Sequence, residues 1–168
     1  MSTPRAPLVV YTDGACAGNP GPGGWAWATA PDGAMRDSGG EEKSTNQRME
    51  IMAALEALRS LEGPLTIVSD STYVIKGCTV WWQKWKANGW KNSQRQPVAN
   101  LDLWQPLIEL VIERSPKFKW VKGHSGDPMN DLVDTLAVAA SKGPFTPRPA
   151  MPSRDTAPDP DSQGSLFD

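Results

Sequence analysis

Val9-Val10-Tyr11-Thr12-Asp13-Gly14-Ala15-Cys16-Ala17-Gly18-Asn19-Pro20-Gly21-Pro22-Gly23-Gly24 is the stretch that decides the fold. Leu8 to Asp13 reads as a central strand, nearly all apolar as expected of one buried on both faces. It delivers a single carboxylate, Asp13, and then breaks into a turn dense in Gly, Asn and Pro. An acid at the end of a buried strand, just before a loop free to approach a ligand, is well placed to hold a metal ion.

Working outward, Trp25-Ala26-Trp27-Ala28-Thr29 alternates large and small side chains, and Pro31-Asp32-Gly33 signals a turn. A return strand over Met35 to Glu41 completes an antiparallel meander. The polar cap Ser44-Thr45-Asn46 then precedes Met49, Ile51, Met52, Leu55, Leu58 and Leu61, the spacing of an amphipathic helix that Gly63-Pro64 ends. Glu50 is placed in the first turn of that helix, where a negative charge complements the helix dipole.

Leu65-Thr66-Ile67-Val68 is a second short buried strand and again runs into an acid, Asp70. A strand, helix, strand order implies a crossover and parallel pairing with the first strand. Asp13 and Asp70 then sit together at the carboxyl ends of neighbouring strands, where open α/β sheets bind ligands. The spacing further predicts a helix over Tyr73 to Lys86, broken by Asn88-Gly89. It predicts another helix over Leu101 to Arg114, a last strand over Lys117 to Val121, and a final helix from Asn130 to Ser141 carrying Asp134.

Composition bounds what this architecture does. The 168 residues are 39% hydrophobic and 21% charged, which suits one soluble domain with a real core. No run approaches the roughly 18 apolar residues of a membrane span, and Met1 to Pro7 lacks the apolar centre of a signal peptide. A cytoplasmic protein is expected. Cys16 and Cys78 read as ordinary thiols, and a single histidine, His124, excludes a histidine-built zinc site. A metal here would be held by oxygen.

Asp13, Glu50, Asp70 and Asp134 share a type of position: two end strands, and two are placed early in helices that pack over that sheet end. Each acid taken alone reads as readily as a cap or a surface residue. Together they describe the all-oxygen site that Mg2+ prefers, with few carboxylates and substrate phosphates completing the shell. Two such ions about 4 Å apart suit in-line displacement at phosphorus. His124 lies between glycines in a loop ahead of Asp134, and imidazole exchanges protons near neutrality.

The formal net charge of −2 names no partner, but its distribution does. Ser71 to Leu101 contains no Asp or Glu, while Lys76, Lys84, Lys86, Lys91 and Arg95 all fall there. Trp81, Trp82, Trp85 and Trp90 are interleaved with these cations. Trp81 and Trp85 lie one turn apart, so part of this is a packing stripe. The lysines above it suit phosphates, and an exposed Trp would stack on sugar or base. From Gly143 onward the chain holds six of its 16 prolines and few apolar residues before Leu166-Phe167, the composition of a disordered tail.

At these residues the sequence resembles bacterial type 1 ribonuclease H. The likeness runs from about Leu8 to Ser141. It includes Tyr11-Thr12-Asp13-Gly14, the Gly18 to Gly24 loop, Asn46-Gln47-Arg48-Met49-Glu50 and Ser69-Asp70-Ser71. It continues through Trp81 to Lys91, Asn100 to Trp104, Trp120-Val121-Lys122-Gly123-His124, and Asp134. The resemblance implies an α/β fold, a five-stranded mixed sheet flanked by helices over residues 1–142. It implies metal-dependent cleavage of the RNA strand of an RNA–DNA hybrid, leaving 5′-phosphate and 3′-hydroxyl ends, in the removal of primers and R-loops.

By the same resemblance, Asp13, Glu50, Asp70 and Asp134 match metal ligands for two Mg2+ ions, with Mn2+ able to substitute, and His124 matches the proton-handling histidine. Asn19, Asn46 and Gln47 are expected to face the RNA strand, and Thr45 a DNA phosphate. The segment with Trp81, Lys84, Trp85, Lys86 and Lys91 matches the hybrid-binding protrusion of bacterial members. RNA alone offers 2′-hydroxyls, so a hybrid is recognised without reading bases. Three positions depart from the common pattern, namely Thr72, Met129 and Asp131, and all four metal carboxylates are intact.

Two other readings compete. A binding module without catalysis would have no need of the four acids. Other metal nucleases of this fold lack a Trp-rich basic helix in this place. In residues 143–168, the end Gln163-Gly164-Ser165-Leu166-Phe167 resembles peptides that dock bacterial replication proteins on the sliding clamp, with Gln163, Leu166 and Phe167 as contacts. The chain is otherwise expected to be a monomer.

Overall fold

A computed structural model describes residues 6–145. The tail from Thr146 onward, with Gln163, Leu166 and Phe167, lies outside the described residues. Five strands form one sheet in the order β3-β2-β1-β4-β5. Strands β1 (Leu8–Cys16), β2 (Gly21–Thr29) and β3 (Arg36–Ser44) make the antiparallel meander. Strands β4 (Leu65–Ser69) and β5 (Lys117–Trp120) add in parallel beside β1. The sheet is therefore mixed, as expected.

Side-chain size along β2 assigns the two faces. Trp25 and Trp27 point to the larger core, with Val10, Ile67 and the apolar stripes of α1 (Asn46–Ser60) and α4 (Leu101–Arg114). Ala26 and Ala28 point the other way and meet Met129, Val133 and Ala137 of α5 (Pro128–Ser141). Small residues let α5 lie close to the sheet. A Cβ on Gly24 would collide with the Ala137 carbonyl, and one on Gly40 with that of Ala140. The alternation of large and small thus builds two layers of unequal depth around one sheet.

Four local expectations need correction. The Gly-rich stretch is not one long turn: β1 runs on to Cys16 and β2 begins at Gly21, leaving Ala17 to Pro20 as the connection. The backbone of Gly14, Gly23 and Gly24 stays paired in the ladder, since glycine weakens a strand without forbidding it. The expected helix over Tyr73 to Lys86 is α2 (Thr72–Lys76), a π-helical turn (Gly77–Trp81) and α3 (Trp82–Ala87). Gly77 sits at that turn against the Trp104 ring, which leaves no room for a Cβ.

The last two corrections concern the site. Helix α5 starts at Pro128, with Asp127 as its N-cap through bonds of 2.9 Å from the Met129 amide and 3.3 Å from that of Asn130. Helix α1 is capped by Thr45, whose hydroxyl accepts the Arg48 amide at 3.2 Å. Glu50 and Asp134 therefore lie in second turns, beyond the first-turn reach of the helix dipole. Their placement is set by the face they occupy, not by an end charge.

Gly24→Ala should cost about 1–3 kcal/mol, the usual penalty of overpacking. Urea unfolding of the variant against wild type, with an unchanged m-value, measures it.

Candidate active site

Parallel pairing brings the first two acids together. Thr12 is in register with Ser69, so the following residues, Asp13 and Asp70, stand side by side at the end of the parallel ladder. Asp13 has the same strand parity as Tyr11 and Ala15, which face α5, and this turns it towards Asp134. Gly14 lets α1 come in from the other side. A Cβ there would lie 2.5 Å from the Glu50 amide nitrogen and from the Met49 carbonyl carbon.

Carboxylate oxygens of Asp13, Glu50 and Asp70 lie within 4.8 Å of one another. Asp134 stands beside this trio and acts electrostatically on both Asp13 and Asp70. His124 is exposed on the loop after β5 and faces Asp70. Gly123 makes that approach possible, because a Cβ on it would be 2.7 Å from Asp70 Oδ2. All five expected catalytic residues are thus brought to one end of the sheet.

The electrostatics are those of a site built for positive charge. Burial, then the charges of Asp70 and Asp134, push the Asp13 carboxyl up to about 8, against the pull of the Gly14 amide. Burial and the Asp13 and Asp70 charges hold Glu50 well above its ordinary range. Asp70 is raised by burial and by the Asp134 charge, against the pull of Asn130, Asp13 and His124, which favour its ionised form. Glu50 Oε1 is buried and has no hydrogen-bond partner. An orphaned carboxylate oxygen among crowded acids, with no thiol in the group, fits a hard divalent cation.

The expected substrate residues form a second group. Asn19 Oδ1 accepts the Asn46 amide at 3.0 Å, so the β1–β2 tip is docked on the start of α1. This brings Asn19, Thr45, Asn46 and Gln47 onto one ledge, with Asn19, Asn46 and Gln47 exposed. Asn19 keeps its Nδ2 donors, and Thr45, which accepts from Arg48, keeps its hydroxyl proton.

The basic segment divides as its pattern suggests. Trp81 and Trp85 are half-buried, with ring centres 5.8 Å apart, and Trp85 sits 5.1 Å from Trp104. Tyr73 joins the same aromatic column and accepts the Trp104 indole N–H at 2.9 Å. Lys84, Lys86 and Lys91 are exposed around it. The rings carry the arm, and the cations are free at its surface.

Some site residues escaped the sequence reading. Asn130 is 2% exposed, faces Asp70 and leaves its Oδ1 unpaired. The signal available was its spacing of four from Asp134, which puts both on one helix face. Arg48 forms bonds of 2.9 and 2.7 Å with the two carboxylate oxygens of Asp102, joining α1 to α4. Nothing in the spacing announces a pair so distant in the chain. Met129, a departure from the expected pattern, is buried in the α5 core, and Thr72 and Asp131 are exposed.

The sequence profile of the RNase H family matches residues 5–142. The chain belongs to the ribonuclease H family. It is 49% identical over 138 residues to the ribonuclease H of Pseudomonas paraeruginosa, with 80% of this chain and 93% of that one covered. It is 50% identical over 146 residues to the ribonuclease H of a Jannaschia species, covering 82% and 92%. Among solved structures it is similar to LC9-RNase H1, a type 1 RNase H with the type 2 active-site motif. The TM-score is 0.71 at 31% identity, over 84% of this chain and 75% of that one. The chain is a hydrolytic nuclease, and the ribonuclease H reaction is hydrolysis of RNA in RNA–DNA hybrids. The family is metal-dependent, in keeping with the acidic cluster.

The raised carboxyls make a signed prediction. Between about 4 and 8, Asp13 is ionised in the unfolded chain and still protonated in the fold. Metal-free stability therefore falls as pH rises through that window. A bound cation reverses this by holding the ionised forms. The melting temperature gained on adding Mg2+ should be larger at pH 8 than at pH 5. Asp70→Asn should melt higher than wild type without metal at pH 8 and gain less from Mg2+. Differential scanning fluorimetry reads both.

Proposed function

We propose that this chain cuts the RNA strand of RNA–DNA hybrids using two Mg2+ ions held by Asp13, Glu50, Asp70 and Asp134, with Mn2+ able to replace them. The products carry 5′-phosphate and 3′-hydroxyl ends. The reading is carried by the clustering of three carboxylates within 4.8 Å at the sheet end that also bears His124. When bound, divalent ions activate water and offset the charge that builds on the leaving oxygen.

The chain's own residues do the rest. Asn19, Asn46 and Gln47 offer amide groups to the 2′-hydroxyls of the RNA strand, which DNA lacks. Thr45 donates its free hydroxyl proton to a phosphate of the DNA strand. Lys84, Lys86 and Lys91 hold phosphates further along, on an arm stiffened by Trp81 and Trp85. His124 carries the proton to or from the reacting centre, because the nearby carboxylates are committed to cations.

Residues 1–142 constitute the catalytic unit, which works as a cytoplasmic monomer in the removal of primers and R-loops. Residues 143–168 contain a clamp-docking peptide, with Gln163, Leu166 and Phe167 as its contacts. A labelled peptide of the last dozen residues should bind the sliding clamp and lose binding when Leu166 and Phe167 become Ala.

A labelled hybrid tests the central reading. Wild type with Mg2+ should cut the RNA strand alone and leave duplex DNA intact, while EDTA or Asp70→Asn should abolish cutting. Binding without cleavage by wild type would replace the nuclease reading with a hybrid-binding module. Replacing Lys84, Lys86 and Lys91 by Ala should raise KM and flatten the salt dependence, by about 0.9 in log–log slope for each phosphate no longer neutralised.

A further inference from the structure

The loop that carries His124 is anchored by a side-chain pair outside the acidic cluster. Tyr11 stands on β1, two residues before Asp13, and its ring packs on the α5 face with Leu132 and Leu136. Its hydroxyl donates to Asp127 Oδ2 at 3.1 Å, across 116 positions of sequence. The other Asp127 oxygen, Oδ1, caps α5 through the Met129 and Asn130 amides. One carboxylate therefore holds the end of the His124 loop, the start of the helix bearing Asn130 and Asp134, and the strand bearing Asp13.

The loop needs such an anchor. His124 has φ +56° and Gly126 φ +93°, so the chain makes two left-handed turns within three residues. The histidine pays a conformational cost that glycine does not. Ser125 Oγ donates to the Lys122 carbonyl at 2.7 Å, a bond internal to the segment. On the near side the Val121 amide donates to the Ser69 carbonyl at 3.0 Å, and Gly123 lies against Asp70. Asp127 fixes the far side through Tyr11.

We propose that Tyr11 and Asp127 are a positioning pair, setting where the His124 imidazole stands relative to Asp70 and Asp134. The pair touches neither substrate nor metal. It acts by joining β1 to the α5 cap, so that the loop between β5 and α5 has both ends fixed to the strands that carry the acids. This rests on the proposed role of His124, and the experiment separates the two ideas.

Tyr11→Phe keeps the ring and removes the hydroxyl. On a labelled hybrid it should lower kcat about fivefold and leave KM within about twofold, the scale of one ordinary hydrogen bond. In a His124→Ala background the same substitution should change kcat less than about twofold, since the group it positions is gone. Asp127→Asn retains most of the turnover, because Asn Oδ1 caps the helix while Nδ2 donates to the Tyr11 oxygen. Asp127→Ala loses it. Amide exchange in the metal-free chain gives a readout independent of turnover. Tyr11→Phe should speed exchange at 123–130 and leave α1 unchanged.

A Tyr11→Phe enzyme with wild-type kcat, an equal loss in the His124→Ala background, or exchange that rises everywhere would overturn the pairing role. Wild-type turnover in His124→Ala alone would instead overturn the role of the histidine, and the positioning claim with it.

Discussion

The parallel register of β1 and β4 is the constraint on which the site depends. Because Thr12 pairs with Ser69, the backbone itself delivers Asp13 and Asp70 side by side. Like charges this close repel, and burial removes the water that would soften the repulsion. The fold tolerates the conflict because the ladder on both sides of β1 and the core formed with α1 and α4 lie behind it. Two glycines then bring in the remaining groups: Gly14 admits the Glu50 backbone, and Gly123 admits the histidine loop. Rigid backbone pairing sets the site, and missing Cβ atoms let it close.

The residues proposed to meet the substrate rest on different supports. The Asn19–Asn46 bond makes a ledge from a hairpin tip and a helix start. The lysine arm is carried by the Tyr73, Trp81, Trp85 and Trp104 rings, which descend into the core through Trp104. Under the proposed function, cations on such an arm would reach phosphates at a distance from the acids. Affinity and chemistry can thus be altered separately, since the arm and the acids stand on different supports. Arg48 is an exception, because its bonds to Asp102 tie the helix that carries Glu50 to the helix that carries Trp104.

Much of this is legible in the sequence, and the reason is local chemistry. Buried runs ending in Asp13 and Asp70 exposed both strands and their shared direction. Thr45 announced α1, and the Trp–Ala alternation of β2 contained the two-layer packing. What escaped was set by position at the scale of one turn or by partners remote in sequence. Glu50 lies one turn deeper than its cap suggested, because the face it shares with the buried Ala53, Ala54 and Ala57 is dictated by packing. The π-helical turn begins at Gly77, where the Trp104 ring from a distant helix leaves no room for a Cβ. Asn130 and Asp127 look like loop and cap residues, and only the arrival of Asp70 and Tyr11 gives them further roles.

Under the proposed function, the same electrostatics explain why proton handling would fall to a loop rather than to the sheet. Acids raised by burial and by one another would be able proton carriers in the metal-free protein, but a cation that satisfies Glu50 Oε1 removes them from that role. Holding metal and moving protons are therefore competing uses of the same carboxylates. A group able to do the second must stand close enough to feel Asp70, yet outside the cluster and open to water. His124 meets those terms, exposed and next to a glycine on which a Cβ would press against the Asp70 carboxylate. An exposed imidazole on a left-handed turn has little of its own to fix its direction, so its precision must be borrowed from what holds the loop. In this chain that is the strand of Asp13 itself, reached through Tyr11 and Asp127.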